Sequence, residues 1–175
     1  MNRLAILLVH GFSGGARDLF SLAEGLRDTF GRETVHLPEL PDHGGGELPA
    51  AFDRDRLVEK LCAQLAGLRQ RAETLVVLGH STGGNLLLAA LEQSAIVPEL
   101  LVLAASPFRI DLAYLERWQR HRQGREGMAL TTVAGLVKFI NEVAERGSLP
   151  ACPALLLQGE KDQLVPSGFG DMSIR

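Results

Sequence analysis

The segment from Thr74 to Leu91, TLVVLGHSTGGNLLLAAL, constrains the fold of this chain more than any other. A short apolar run at 75–78 leads into GHSTG at 79–83, and a stretch rich in Leu and Ala follows at once. Such a run is typical of a strand buried on both faces of a parallel sheet. A G-x-S-x-G pattern between strand and helix matches a nucleophile elbow, whose sharp turn holds a serine at the carboxyl edge of the sheet.

The surroundings of Ser81 favour a nucleophile over an ordinary turn. Gly79 and Gly83 flank it, as expected where the strand and helix backbones come too close for side chains. The following helix would aim free N–H groups and a partial positive charge at an oxyanion formed on a substrate. The alternative is a plain strand-to-helix turn, because a chain with 19 glycines can contain G-x-S-x-G by chance.

Length and composition exclude several classes of protein. A chain of 175 residues fits one domain, 1–175, that can bury roughly 70% of its unfolded surface. Its 18 Lys and Arg against 21 Asp and Glu give no reason to expect nucleic acid or an acidic membrane as partner. Cys62 and Cys152 have no metal-ligand spacing and are interpreted as two buried thiols of a cytoplasmic protein.

Targeting and membrane signals are also not expected. The apolar run at 4–9 is short, ends in His10-Gly11 and reads as a first strand rather than a signal peptide. No run approaches the roughly 18 apolar residues of a membrane-spanning helix, so no stable membrane anchor is predicted.

Strands and amphipathic helices alternate along the chain. This alternation predicts right-handed crossovers and an α/β fold, a mostly parallel sheet with helices on both faces. Helical spacing begins near Leu19, at Asp53 and after Ser81, the last of these helices ending near Ser94. The predicted strands are 4–9, 34–37, 75–78, 100–104 and 153–158.

The alternation breaks at 108–149, where two helical stretches flank a basic piece from Arg120 to Glu126. An insert here lies at the carboxyl edge of the sheet, where ligands bind in open α/β sheets. It is either a small helical lid or a helical segment that packs on the flank of the sheet. Its arginines, with His121, are interpreted as a solvated helix face.

Three motifs in this order resemble the α/β-hydrolase superfamily, in particular small bacterial carboxylesterases and monoacylglycerol-lipase-like enzymes. They are LLVHGF at 7–12, GHSTG at 79–83 and GEKDQLVP at 159–166. PDHG at 41–44 is similar to the loop after the second strand that often reads G-H-G in that group. The likeness extends over nearly the whole chain.

The resemblance implies a role for each matching position. Ser81 would attack an ester carbonyl, and the backbone N–H groups of Phe12 and Thr82 would form the oxyanion hole. Asp162 would orient a histidine and stabilise its protonated form. A helix N-cap or a turn residue is the alternative for Asp162. No metal or organic cofactor is implied.

The catalytic histidine has no clear position. A serine needs an adjacent base near neutral pH, and in this superfamily the order is Ser, acid, His. Here the last histidine is His121, and none follows Asp162. The final strand, its histidine loop and the closing helix are therefore expected to be missing. None of the five histidines follows the family pattern; His43 comes nearest, since its loop leaves the catalytic edge.

The sequence thus predicts a C-terminally truncated α/β-hydrolase fold and two hypotheses for its function. One is a serine hydrolase for small carboxylic esters, acting through an acyl-enzyme on Ser81, with a base supplied by His43, by a partner chain or by a segment absent from this chain. The other is a catalytically silent relative that keeps the pocket as a binding module. A fifth strand left as a sheet edge would also expose unpaired N–H and C=O groups and invite dimerisation.

Overall fold

The computed structural model describes residues 3–44, 51–110, 130–147, 149–162 and 165. Strands and helices alternate over most of this length. The strands are β1 (Leu4–Val9), β2 (Val35–His36), β3 (Thr74–His80), β4 (Leu100–Ala104) and β5 (Ala154–Leu157). The helices are α1 (Phe20–Phe30), α2 (Arg54–Arg69), α3 (Thr82–Ser94) and α4 (Leu130–Arg146), with 3-10 turns at Ala16–Leu19 and Arg32–Thr34.

The five strands form one parallel sheet in the order β2-β1-β3-β4-β5. β1 and β3 pair in register from Leu4 opposite Thr74 to Val9 opposite Gly79. Because all strands are parallel, their carboxyl ends lie at one edge. The residues that follow β1, β3 and β5 therefore share that edge, which brings His10, Ser81 and Gln158 to the same side of the molecule.

Alternate residues of β1 enter two separate hydrophobic clusters, because successive side chains of a strand point to opposite faces. Leu7 and Val9 pack with the apolar faces of α2 and α3, while Ile6 and Leu8 pack with Leu19 and Ala23 beside α1. Leu7, Leu8 and Val9 are completely buried. This explains why the strand is a continuous apolar run.

The predicted fold class is confirmed, an α/β sheet of parallel strands flanked by helices. α2 begins at Arg54 with Asp53 as its N-cap, whose carboxylate accepts the Arg56 N–H at 3.1 Å. α3 ends at Ser94, as expected. β2 is shorter than the 34–37 predicted, because residues 32–34 form a 3-10 turn.

The insert predicted at 108–149 is described only in part. α4 packs Phe139 and Ile140 into the core shared with α2 and α3, and Arg54 of α2 pairs with Glu142 at 2.9 Å. Asn141 bonds the backbone of Ile110 through both amide atoms, at 2.8 and 3.2 Å. The first helical stretch and the basic cluster with His121 lie outside the described residues. A lid stays a prediction.

β5 is an edge strand of the described sheet. It pairs with β4, and no strand in the described ranges pairs with its other side. Its side chains are half-exposed on both faces, at 48% for Leu155, 42% for Leu156 and 47% for Leu157. An uncharged apolar strand with a free edge is a feature that soluble proteins normally cover or break with charge.

Candidate active site

Ser81 stands between β3 and α3 in a strained backbone conformation, with φ 54° and ψ −131°. L-residues other than glycine rarely adopt such values, and they occur at functional sites where the surrounding structure enforces them. The Ser81 N–H donates to the carbonyl of Ala104 at the end of β4, at 2.8 Å. The Gly84 N–H donates to the carbonyl of Ser81 at 3.0 Å. The turn is thus fixed on both sides.

The flanking glycines are where backbones approach most closely. A Cβ at Gly79 would lie 2.4 Å from the Cα of Gly84, and one at Gly83 would lie 2.4 Å from the carbonyl oxygen of Val9. Neither position can hold a side chain without displacing backbone. This is the close approach that the sequence pattern predicted, and it brings the end of β1 directly under the start of α3.

Residues 10–15, here called the 10–15 turn, lie beside Ser81. A Cβ at Gly11 would stand 3.0 Å from the Cβ of Ser81 and 3.4 Å from its Oγ. Phe12 and Thr82 are both buried, and Thr82 is the first residue of α3, where a backbone N–H has no intrahelical acceptor. In the described part of the chain the N–H of Phe12 forms no hydrogen bond either. The structure therefore brings Ser81, Thr82 and the Phe12 turn together.

His10 holds the 10–15 turn to the loop after β2. It is completely buried, and its Nδ1 lies 3.0 Å from the carbonyl oxygen of Gly11. A carbonyl only accepts, so Nδ1 carries the proton. Nε2 accepts the N–H of Leu40 at 3.1 Å. With its two nitrogens bonded in this way, His10 has a structural role.

His43 has the electronic features of a base. Its Nδ1 lies 2.7 Å from the carbonyl oxygen of Pro41, so Nδ1 carries the proton and Nε2 the lone pair. Nε2 is buried and has no hydrogen-bond partner in the described structure. Burial lowers the pKa of His43, against a smaller opposing effect of the Pro41 bond. Its ring packs edge-on against Phe12, with centroids 5.4 Å apart.

No described histidine hydrogen-bonds to Ser81. His36 lies in β2, at the far edge of the sheet from β5, and burial with the charges of Arg71 and Arg27 lowers its pKa. His80 ends β3, and its Nδ1 is buried without a partner among the described residues. The structure thus places His43 on the wall of the 10–15 turn without joining it to the serine.

Asp162 lies in the loop after β5, at the same sheet edge as Ser81. Its Oδ1 accepts the N–H of Val165 at 2.9 Å, and its Oδ2 accepts the amide of Gln158 at 3.2 Å. The Gln158 amide also donates to the Val165 carbonyl. These bonds fix the carboxylate within a tight turn, which is also what the alternative role of a turn residue requires.

Sequence reasoning missed Glu39. Its carboxylate accepts the N–H of Ala16 and lies against His10, two contacts that join the loop after β2 to the 10–15 turn. The signal available in the sequence was an acidic residue beside an otherwise apolar stretch, LPEL at 37–40. Nothing in that pattern shows which segment the carboxylate meets.

The described residues show neither a metal-ligand cluster nor a membrane-spanning helix. Over the described ranges, no three His, Cys, Asp or Glu side chains cluster as metal ligands would. No helix there combines the length and apolar character needed to cross a bilayer.

A strained serine at a strand-to-helix turn, at the carboxyl edge of a parallel sheet, defines the class of protein. The chain belongs to the alpha/beta hydrolase family, whose sequence model matches residues 6–171.

Particular relatives are lipolytic enzymes. The chain is 27% identical to a thermostable monoacylglycerol lipase of Bacillus sp. (strain H-257), over 97% of this chain and 74% of that protein. Its fold is similar to a structure from a study of LipS and LipT, two metagenome-derived lipolytic enzymes. The TM-score is 0.78, with 22% identity, and the match covers 98% of this chain and 78% of that chain. It is also similar to the monoacylglycerol lipase of Paleococcus ferrophilus, with a TM-score of 0.62 and 16% identity over 95% and 77%.

Proposed function

We propose that this protein is a serine hydrolase of small carboxylic esters. The observation that carries the proposal is the strained backbone of Ser81, held against a turn whose Phe12 N–H has no acceptor in the described residues. The lipolytic relatives support hydrolysis of esters in general. A serine presented on a strained turn beside unpaired N–H donors is the arrangement of a nucleophile elbow and its oxyanion hole.

The reaction would proceed through an acyl-enzyme. Ser81 Oγ attacks the ester carbonyl and gives its proton to a base, and the negative charge on the carbonyl oxygen is stabilised by the N–H groups of Phe12 and Thr82. Collapse of this intermediate releases the alcohol, which takes the proton. Water then attacks the acyl-enzyme by the same route and releases the acid. Removal of one oxyanion donor in such sites typically costs ~2.7–4 kcal/mol.

His43 is the base proposed among the described histidines. Its proton is fixed on Nδ1 by Pro41, its Nε2 is unpaired, and its lowered pKa keeps it neutral near neutral pH. Asp162 stays the proposed acid, held by Gln158 and Val165 in the loop after β5. Because His43 Nδ1 donates to Pro41, Asp162 would support this base through its charge and not through a bond to that nitrogen. Removal of a general base typically lowers the rate by ~10²- to 10⁴-fold, so we expect His43→Ala to lower it this much.

Covalent labelling tests the nucleophile. A fluorophosphonate reacts with an activated serine, and we expect intact-mass analysis to show one adduct and peptide mapping to place it on Ser81. Ser81→Ala should abolish the adduct. The matched control is Ser94→Ala, at the end of α3, which should label as the wild type does. An adduct that survives in Ser81→Ala, or no adduct in the wild type, would refute the proposal.

The catalytically silent alternative has one supporting observation, which is that no described histidine hydrogen-bonds to Ser81. In that case the site around Ser81 would bind a small molecule without turnover. The absence of labelling together with retained binding of a short-chain ester, measured by calorimetry, would favour it.

A further inference from the structure

The 10–15 turn is held at both ends by two consecutive residues of the loop after β2. At its start, the buried His10 accepts the N–H of Leu40 on Nε2 at 3.1 Å. Just after its end, the Ala16 N–H donates to both carboxylate oxygens of Glu39, each at 3.2 Å. Phe12, whose N–H is the proposed oxyanion donor, lies between these two attachments.

Glu39 and His10 also lie in direct contact. Glu39 Oε1 is 2.9 Å from His10 Nε2. A hydrogen bond between these two atoms would require a proton on one of them. The Leu40 N–H needs the lone pair of the same nitrogen, so the two contacts compete. We favour the Leu40 bond, since Leu40 is only 2% exposed and an unpaired buried N–H is costly, whereas the side chain of Glu39 is 41% exposed.

The carboxylate of Glu39 fits only because glycines surround it. A Cβ at Gly44 would lie 2.4 Å from the carboxyl carbon of Glu39, and one at Gly15 would lie 3.2 Å from its Oε1. The side chain therefore fills the space between the 10–15 turn and the loop after β2. A shorter side chain would leave the Ala16 N–H without this acceptor and the turn without its neighbour.

We infer that Glu39 is a positioning residue, which fixes the Phe12 N–H at the distance an oxyanion needs. This rests on the proposed ester hydrolysis. Glu39 acts through the turn and has no part in the chemical step itself. Displacement of a catalytic group by about 1 Å can cost ~100-fold in rate, so loss of this attachment should affect turnover far more than ground-state binding.

The test compares Glu39→Ala, Glu39→Gln and the surface control Glu59→Ala in hydrolysis of p-nitrophenyl butyrate. Glu39→Ala should lower kcat ~10- to 100-fold with little change in KM, because the oxyanion forms only in the transition state. Glu39→Gln keeps one carbonyl oxygen for Ala16 and should recover most of kcat. Glu59, exposed on α2, should leave both constants unchanged.

A second measurement separates this inference from the proposed function. In ¹H–¹⁵N spectra of the same variants, Glu39→Ala should shift the amide signals of Phe12 and Ala16, and Glu39→Gln should shift them less. If wild-type protein does not hydrolyse the ester but these shifts occur, ester hydrolysis is refuted and the positioning of the turn is supported. Unchanged Phe12 and Ala16 signals, or a rise in KM with kcat unchanged, would overturn the inference.

Discussion

The N–H of Ser81 donates to the carbonyl oxygen of Ala104 at 2.8 Å, so the elbow is tied to the end of the neighbouring strand. This bond continues the pairing of β3 with β4 one residue beyond His80 and Ala104. It holds Ser81 at a positive φ that the residue would not adopt alone. The sheet therefore helps to hold the serine in its strained conformation, together with the Gly84 bond within the turn.

We predict that Ser81→Gly is more stable than Ser81→Ala, by about 1 kcal/mol in the free energy of unfolding, since only glycine adopts φ 54° and ψ −131° without strain. Both variants lack the hydroxyl and should be equally inactive, so activity does not confound the comparison. Urea denaturation of the two proteins is the measurement. Equal stability, or a less stable glycine variant, would show that the elbow is not strained.

Gly83→Ala should destabilise the protein by about 1–3 kcal/mol, the usual cost of overpacking. Its Cβ would lie 2.4 Å from the carbonyl of Val9 and 2.5 Å from that of His10. The matched control is Gly25→Ala in α1, where a Cβ meets nothing within 4 Å and alanine should stabilise the helix by roughly 0.5–1 kcal/mol. Thermal unfolding of each variant gives its change in Tm. Similar changes in Tm for the two variants would contradict the close contact of β1 with α3.

His36 makes stability depend on pH. Burial, followed by the charges of Arg71 and Arg27, lowers its folded-state pKa below the ordinary value of 6.5. The unfolded chain then binds the proton more tightly than the folded protein does. The contribution of neutral His36 to the free energy of unfolding is therefore complete above pH 6.5 and is lost as the pH falls through 6.5 toward the folded-state pKa. Urea denaturation between about pH 7.5 and about pH 5 should show this loss.

The matching variant is His36→Gln, in which the free energy of unfolding should depend less on pH than in the wild type. His43 has a pKa lowered in the same direction, mainly by burial, so the dependence should diminish rather than vanish. An unchanged pH dependence in His36→Gln would mean that this side chain titrates alike in the folded and unfolded states.

We expect β5 to mediate a concentration-dependent dimer. Its exposed leucines carry no charge that would repel a second copy, and two such edges related by a twofold axis can pair antiparallel. Leu156→Lys should shift the protein toward monomer in light scattering. Leu22→Lys, an equally exposed leucine of α1, should not. A wild-type protein that stays monomeric at high concentration would refute this expectation.

Much of the fold could be predicted because its elements are local in sequence. The apolar run before Ser81 and the leucines spaced along α2 each specify an element and its buried face, and parallel pairing follows from their alternation. The glycines around Ser81 likewise predicted a close backbone approach. β2 was predicted too long because its start depends on a 3-10 turn that no periodicity reveals.

The site was predictable only where its residues are adjacent in the chain. The elbow and the turn at Phe12 could be located from sequence, since each is a compact motif. The contact of Glu39 with Ala16 joins residues 23 apart, and depends on how two loops meet. The tautomer of His43 depends on the Pro41 carbonyl within a folded loop. Such relationships arise from tertiary packing and have no sequence signal of their own.

Ester hydrolysis on Ser81 can be measured with p-nitrophenyl butyrate, comparing the wild type with Ser81→Ala. We expect turnover in the range of about 1–10³ s⁻¹ for the wild type. Loss of the nucleophile should lower it by roughly 10⁴- to 10⁶-fold. A wild-type rate equal to that of Ser81→Ala would refute ester hydrolysis by Ser81, because Ser81 would then be a strained residue without a reaction.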